Sequence, residues 1–380
     1  MAAMESALQA LIARITHAHQ TRTPLRIRGG GTKDFLGHRL QGEVLDTRTL
    51  SGIRAYEPSE LVVTAAAGTP LTTLEAVLRE QNQCLPFEPP HFGWSQDSAV
   101  GPATVGGMVA AGLAGPGRAS VGSVRDYVLG VQMVNGLGQH LSFGGQVIKN
   151  VAGYDVSRLM AGAMGTLGLI TEVSLKVLPL PAAEATLVFP VGQAGALEQL
   201  HRWGGQPLPL NASCWVHDAG VDTLYVRLRG AVAAVEAACR SMGGERQDNA
   251  RVAADWAACR DQTLPWFTAG PSAGLDLWRL SLPATTPVLA LPGGVAPPLV
   301  EWHGALRWVQ AAPVHAQALH DAARQAGGSA SLFRAHSADA ESVAAYFDPL
   351  PAGLQAIHER LRQSFDPAGI FNPGRMAWQR

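Results

Sequence analysis

The chain has 380 residues, 29 Lys and Arg against 30 Asp and Glu for a net charge of −1, and 47% hydrophobic residues. That length can bury the cores of two domains, and that apolar content excludes an extended disordered chain. The near-neutral charge, with no basic stripe, excludes the electrostatic footprint of a nucleic-acid binder.

In chain order, MAAMESALQALIARITHAHQT places Leu8, Leu11, Ile12 and Ile15 on one helical face. Glu5 and Arg14 break its apolar pattern, so it predicts an amphipathic helix rather than a secretion signal. PLRIR (24–28) predicts a strand running into Gly29, Gly30 and Gly31. ELVVTAAAG (60–68) predicts another. Thr69 as N-cap and Pro70 at the first helical position then open a helix with Leu71, Leu74 and Leu78 on its buried face. YVLGVQMVNGLGQHLSF (127–143) predicts a hairpin turning at Asn135-Gly136. Asp155 caps a short helix ending near Gly162. From 171 to 177, Glu172, Ser174 and Lys176 alternate with Val173, Leu175 and Val177, as in a half-buried strand.

Past PLPAAE (179–184) the glycine clusters thin out and a second α+β domain is predicted. Its strands fall near 186–190, 212–218, 223–229, 275–281 and 305–310, and its helices near 231–242, 313–326 and 353–364. LPATTPVLALPGGVAPPLV (282–300) has the hydropathy of a membrane span, but its five prolines and two glycines predict an extended loop. Cys84, Cys214, Cys239 and Cys259 form no CxxC pair, which argues against a disulfide framework or a thiolate-held cluster on this chain. His17/His19 and His315/His320 lack ligand spacing, so no metal site is expected.

Four small-residue stretches carry the chemistry. In RIRGGGTKD (26–34) three glycines let backbone N–H groups approach an anion, and Arg28, Thr32 and Lys33 add charge and a hydroxyl; alone the triplet reads equally well as a flexible strand-to-loop turn. It is not the GxGxxG fingerprint, since no helical pattern follows. GPATVGGMVAAG (101–112) holds Gly106-Gly107, which alone reads as close helix packing. GRASVGSVRDYVLG (117–130) sets Ser123 and Asp126 near Gly122, which alone reads as a solvated loop. KNVAGYDVSRLMAGAMGTLGLITEVSLKV (149–177) is the fourth. Within one domain they suggest a single extended ligand with pyrophosphate, polar chain and flat ring: a flavin dinucleotide.

RGGGTKD, ATVGGMVAAG, SVRDYVLGV, KNVAGYDVSRLMAGAMGTLGLIT and FDPAGIFNPGR resemble the FAD-binding oxidoreductases of the vanillyl-alcohol oxidase (PCMH) type, over residues 20–180 and the tail. PFEPPHFG, GGQVIKNVAGYDVSRLM and ALRWVQ are similar to the FAD-binding E-subunit family of bacterial glycolate oxidase (glycolate dehydrogenase). The resemblance implies an α+β fold: a two-part PCMH-type FAD-binding domain at 1–180, an α+β cap domain at 181–365, and a segment 366–380 returning to the FAD domain. By position, Arg28, Gly29, Gly30, Gly31, Thr32, Lys33 and Asp34 form the pyrophosphate loop. Thr104, Gly106 and Gly107 line the cofactor, and Gly122, Ser123 and Asp126 continue that wall. Lys149, Gly153, Tyr154 and Asp155 lie near the flavin, and Gly165, Gly168 and Ile170 near the dinucleotide.

Thr32 stands where some members carry a flavin-linking histidine, so non-covalent FAD is expected. Met164 stands where hydroxy-acid relatives carry an acid, and their HxGDGNxH-like metal motif is missing. The implied activity is oxidation of glycolate to glyoxylate within a complex. A sister flavoprotein subunit would carry the main site for the small hydroxy acid, and an iron–sulfur subunit would pass electrons on. The implied location is cytoplasmic, with any attachment to the inner membrane made through partners. Two alternatives stay open: a self-sufficient FAD-dependent dehydrogenase of another small hydroxy acid or alcohol, and a catalytically silent assembly subunit. No catalytic residue is assigned.

Overall fold

The computed structural model describes residues 2–39, 41–93, 99–145, 155–218, 220–336 and 346–376. The chain divides into two units, one of Met1–Leu113, Ser123–Leu180 and Pro349–Arg380, the other of Ala114–Gly122 and Pro181–Asp348. The second unit thus takes residues 114–122 out of the middle of the first, and 349–365 belongs with the first. Composition marks neither boundary, because both are set by long-range packing.

The N-terminal half runs α1 (Ala2–Thr21), β1 (Leu25–Arg28), β2 (Glu43–Asp46), β3 (Ile53–Glu57), β4 (Val62–Ala66), α2 (Leu71–Glu80), β5 (Gln83–Cys84), α3 (Val105–Ala111), α4 (Arg118–Val121), α5 (Val124–Tyr127), β6 (Val128–Val134), β7 (His140–Gly144), α6 (Val156–Leu159), β8 (Leu169–Lys176) and β9 (Leu178–Pro179). All but α4 lie in the first unit. Its main sheet is antiparallel in the order β3-β4-β8-β6-β7. β8 is the central strand, and there the half-buried expectation fails: Ser174 is buried and shares a 2.8 Å hydrogen bond with Thr64. Polar residues can alternate along a covered strand when a neighbour strand supplies the partner.

A separate parallel pair, β1 with β2, is extended by the C-terminal segment, where Leu25 bridges to Phe371. Leu8, Leu11 and Ile15 of α1 pack on Leu25, Leu45, Leu50, Val134, Leu169, Ile370 and Phe371. Each such fully buried side chain contributes roughly 1.5–3 kcal/mol, so the distant tail is part of this core.

Two local readings are corrected. Pro70, not Thr69, occupies the cap position of α2; the buried Thr69 hydroxyl donates to Ala66 O at 2.6 Å and accepts from the Gly52 amide at 2.9 Å. The β6–β7 connection spans residues 135–139, with positive φ at Gly138 rather than at Asn135-Gly136. The Asn135 side chain accepts from the amides of Leu137 and Gln139, an Asx-type turn that outcompetes the two-residue hairpin.

The second unit continues with β10 (Ala183–Pro190), α7 (Gln193–Gly204), β11 (Leu210–Asp218), β12 (Val221–Gly230), α8 (Val232–Met242), β13 (Glu245–Arg246), α9 (Asn249–Asp261), α10 (Pro265–Ser272), β14 (Asp276–Ser281), β15 (Leu299–Glu301), β16 (Leu306–Ala311), α11 (Ala316–Gln325) and β17 (Ser329–Arg334); α12 (Ala352–Phe365) returns to the first unit. One antiparallel sheet of eight strands has the order β13-β10-β12-β11-β15-β16-β14-β17. One core gathers Leu187, Leu197, Leu200, Trp203, Leu224, Val226 and Val235 under α7 and α8, and another gathers Trp278, Leu280, Val309, Leu319 and Leu332 under α11. The proline-rich stretch has no regular structure before β15. Among the described residues no helix is long and apolar enough to cross a membrane.

Candidate functional site

β1 delivers the chain into the loop 28–34, which lines a cleft of the first unit together with Thr104, Gly107, Ala110 and Ala111 of the α3 region, Met164, Gly165, Asn372 and Arg375. The amides of Gly29, Gly30, Gly31 and Thr32 meet no acceptor among the described residues. Successive N–H groups left in this way make an anion-binding concavity. Arg28, Lys33 and Arg375 set three cations against Asp34 in the cleft lining.

The glycines act differently from expectation. A Cβ on Gly30 would lie 1.8 Å from Pro102 O, and one on Gly29 would lie 2.3 Å from Thr104 Oγ1. The Gly30 carbonyl accepts from the Gly101 amide at 2.7 Å. These glycines therefore let two loops of the chain lie against each other, and the cleft wall is the result. Gly31 has φ +81°, where L side chains are strained.

Arg28 is also committed within the protein. Its Nε pairs with Asp34 at 2.6 Å and its Nη1 donates to Ala99 O at 3.0 Å. The pair closes the loop on itself. Lys33 lies over the Phe92 ring at 5.3 Å and donates to the Thr32 hydroxyl at 3.3 Å.

Thr104 caps α3, accepting from the Gly107 amide at 3.3 Å. Gly106 turns from the cleft and packs on β4: its amide donates to Ala67 O at 2.7 Å, and a Cβ there would meet the Ala67 Cβ at 2.7 Å. Gly165 lines the cleft at φ +71° beside Met164, itself at φ 51°. Gly168 and Ile170 do not line it; Gly168 abuts Met133 and Val134, and Ile170 is buried in β8.

Gly122 closes α4 in the second unit at φ 94°. Ser123 and Asp126 form the capping box of α5, with the carboxylate accepting from the Ser123 amide at 2.8 Å and hydroxyl at 3.0 Å. That amide hydrogen bond holds the Asp126 carboxyl below its ordinary range despite partial desolvation. Asp155 caps α6, accepting from the Arg158 amide at 3.0 Å, and α6 ends at Leu159, short of Gly162. Lys149, Gly153 and Tyr154 lie outside the described residues.

Two residues of the tail complete the cleft and were not singled out in the sequence. Asn372 accepts from the Ile27 amide at 2.8 Å and donates to Met164 O at 2.7 Å. Arg375 donates to Lys33 O at 2.7 Å and Asp34 O at 3.3 Å. Both sit in the motif FNPGR, whose spacing predicts only turns; their role depends on partners more than 200 residues away. The cleft has the fittings of a dinucleotide site: amides without an acceptor among the described residues, excess positive charge and a wall of Gly107, Ala110 and Ala111 without bulky side chains.

Comparison with known proteins agrees. An FAD binding domain matches residues 6–144, and the cofactor of the chain is FAD. The glycolate oxidase subunit GlcE of Escherichia coli (strain K12) is 45% identical over 97% of this chain and 97% of its own length. The glycolate oxidase subunit GlcD of Bacillus subtilis (strain 168) is 33% identical over 46% of this chain and 36% of its own. The 4-ethylphenol oxidase from Gulosibacter chungangensis shares the fold, with a TM-score of 0.69 at 14% identity over 97% of this chain and 87% of its own. On this similarity over nearly its whole length, the chain belongs to the family of the glycolate oxidase subunit GlcE, FAD-dependent oxidoreductases with a PCMH-type FAD-binding domain in an α+β fold.

Proposed function

We propose that the chain holds FAD non-covalently in the first-unit cleft and serves as a flavoprotein subunit of a complex that oxidises glycolate to glyoxylate. The observation that carries this reading is the 28–34 loop, with four amides that meet no acceptor among the described residues. The pyrophosphate would rest on those amides, with Lys33 supplying charge. Arg28, Asp34, Asn372 and Arg375 would hold the loop in shape. Thr32 offers a hydroxyl and no imidazole, which supports a flavin without a covalent link through this position. Bound FAD supplies a two-electron acceptor; the protein supplies orientation and polarity.

The partners in this reading are a sister flavoprotein subunit and an iron–sulfur subunit, which carries electrons onward. The location is cytoplasmic, with any membrane attachment made through those partners. The second unit is the cap domain. Co-purification from the native host, followed by anaerobic addition of glycolate, tests the proposal. Bleaching of the flavin band in a complex holding both partners is expected; a chain that purifies alone and stays oxidised with glycolate overturns it.

A further inference from the structure

Trp302 and His303 are adjacent in the second unit, at φ 52° and 55°. Bulky residues rarely adopt the left-handed region, and they keep it where surrounding contacts impose it, often at functional sites. Those contacts are present. The His303 amide donates to Ser213 Oγ at 3.0 Å, and the imidazole lies 3.1 Å from Ser213 Oγ and 3.1 Å from Ser120 Oγ. The Trp302 indole donates to Gly115 O at 3.0 Å. The 114–122 excursion is thereby pinned to the sheet.

Two guanidinium groups meet on this indole. Arg118 lies 4.5 Å from the Trp302 ring centroid and Arg279 lies 5.2 Å from it. Among the described residues neither makes an ion pair at contact distance with a carboxylate or donates a side-chain hydrogen bond. Glu301 is near, but its carboxylate accepts from Trp308 at 2.6 Å and Cys259 at 3.3 Å. Arg279 is pushed down to about 10, first by burial and then by the charge of Arg118, against the opposing pull of Glu301. It stays protonated at neutral pH. Two like charges are thus held together on one ring with Glu301 as the acidic group beside them, so positive charge is in excess and an anion would relieve it.

We propose that this cluster is a binding site for a small carboxylate anion beside Trp302, where the fields of Arg118 and Arg279 add. Resting on the reading above, it would take the carboxylate of the hydroxy acid. His303 is pushed down to about 4 by burial and is neutral at physiological pH, so it holds Ser213 and Ser120 in place without adding charge. The residues come from three segments, at 118–120, 213, and 279–303, which is why no motif announces them.

Titration calorimetry of oxalate into the FAD-loaded full chain tests the site directly. Wild type is expected to bind oxalate at one site per chain. Arg118→Met and Arg279→Met, which keep the apolar stem and remove the charge, are each expected to weaken binding at least tenfold with FAD content unchanged. If Arg279→Met fails to load FAD, the exposed Arg118 decides alone. Unchanged oxalate affinity in Arg118→Met, or no oxalate binding by FAD-loaded wild type, overturns the site. In the complex, the variants are expected to raise KM for glycolate at least tenfold with a smaller change in kcat. Oxalate binding lost in the variants, in a complex that never oxidises glycolate, sinks the substrate reading and leaves the site standing. Unaltered glycolate kinetics in the double variant sinks the assignment to substrate and leaves the function reading intact.

Discussion

A side chain on Gly30 has nowhere to go. Its Cβ would lie 1.8 Å from Pro102 O and 2.7 Å from Pro102 C, both backbone atoms that cannot swing aside. Gly30→Val is therefore expected to part the two loops and abolish FAD retention, while the sheets, which do not depend on that contact, keep their far-UV signal. Flavin absorbance per chain checks it, and normal flavin occupancy contradicts the cleft assignment. Asp126 gives a residue-scale prediction of pH dependence. Its carboxyl is held below 3.8 by the Ser123 amide, so the folded state favours its ionised form. The stability it contributes is complete above that ordinary value and is lost as pH falls through the lowered folded one. Asp126→Asn should lower the urea midpoint at neutral pH and narrow its difference from the midpoint at pH about 3. A wild-type acid slope in the variant would show that the box adds nothing.

At the scale of elements, the C-terminal segment acts as an added strand. It reaches β1 through the Leu25–Phe371 bridge, the Leu25 amide donating to Ile370 O at 2.7 Å, and the Asn372 side chain. Asn372→Ala removes the acceptor of the Ile27 amide and the donor to Met164 O. A buried group left without its partner costs about 1–3 kcal/mol, so a drop of about 2 kcal/mol or more in unfolding free energy is expected from the two losses. The same change should loosen FAD, because Ile27 and Met164 both line the cleft. Equilibrium urea unfolding and flavin titration read the two effects separately. Stability within ~0.5 kcal/mol of wild type, the usual range for a surface change, would contradict this role.

Across the whole molecule, the chemistry is divided between a unit built for the dinucleotide and a unit with its own cationic cluster. Thr32 in the loop predicts that acid precipitation releases all yellow chromophore into the supernatant. Colour retained in the pellet contradicts a non-covalent flavin. The second unit's eight-stranded sheet buries two cores and leaves Arg118, Ser120 and His303 on segments outside its regular strands. Arg279 of β14 and Ser213 of β11 supply the remainder from the sheet itself, so the proposed site is built on strands as well as on the segments they position.

Local pattern was enough for α1, β1, β4, the buried face of α2 and most strands of the second unit, because period-2 and period-3.6 burial is written residue by residue. It also marked the loop 28–34 as a candidate anion site, although its three glycines alone fit a flexible strand-to-loop turn equally well. Of the helices past residue 181, three were not legible. α7 and α10 contain glycines within their spans, and α9 buries only Val252, Trp256 and Cys259 along a mostly exposed, alanine-rich helix. The glycines' reason for being small, the polar centre of β8, and the roles of Asn372 and Arg375 all depend on what another segment places opposite them. The pairing of Arg118 with Arg279 on Trp302 depends on it as well. Amino-acid order determines which residues can turn, pair or carry charge; only tertiary packing decides which of them meet, because contacts between remote segments leave no periodic trace in the chain.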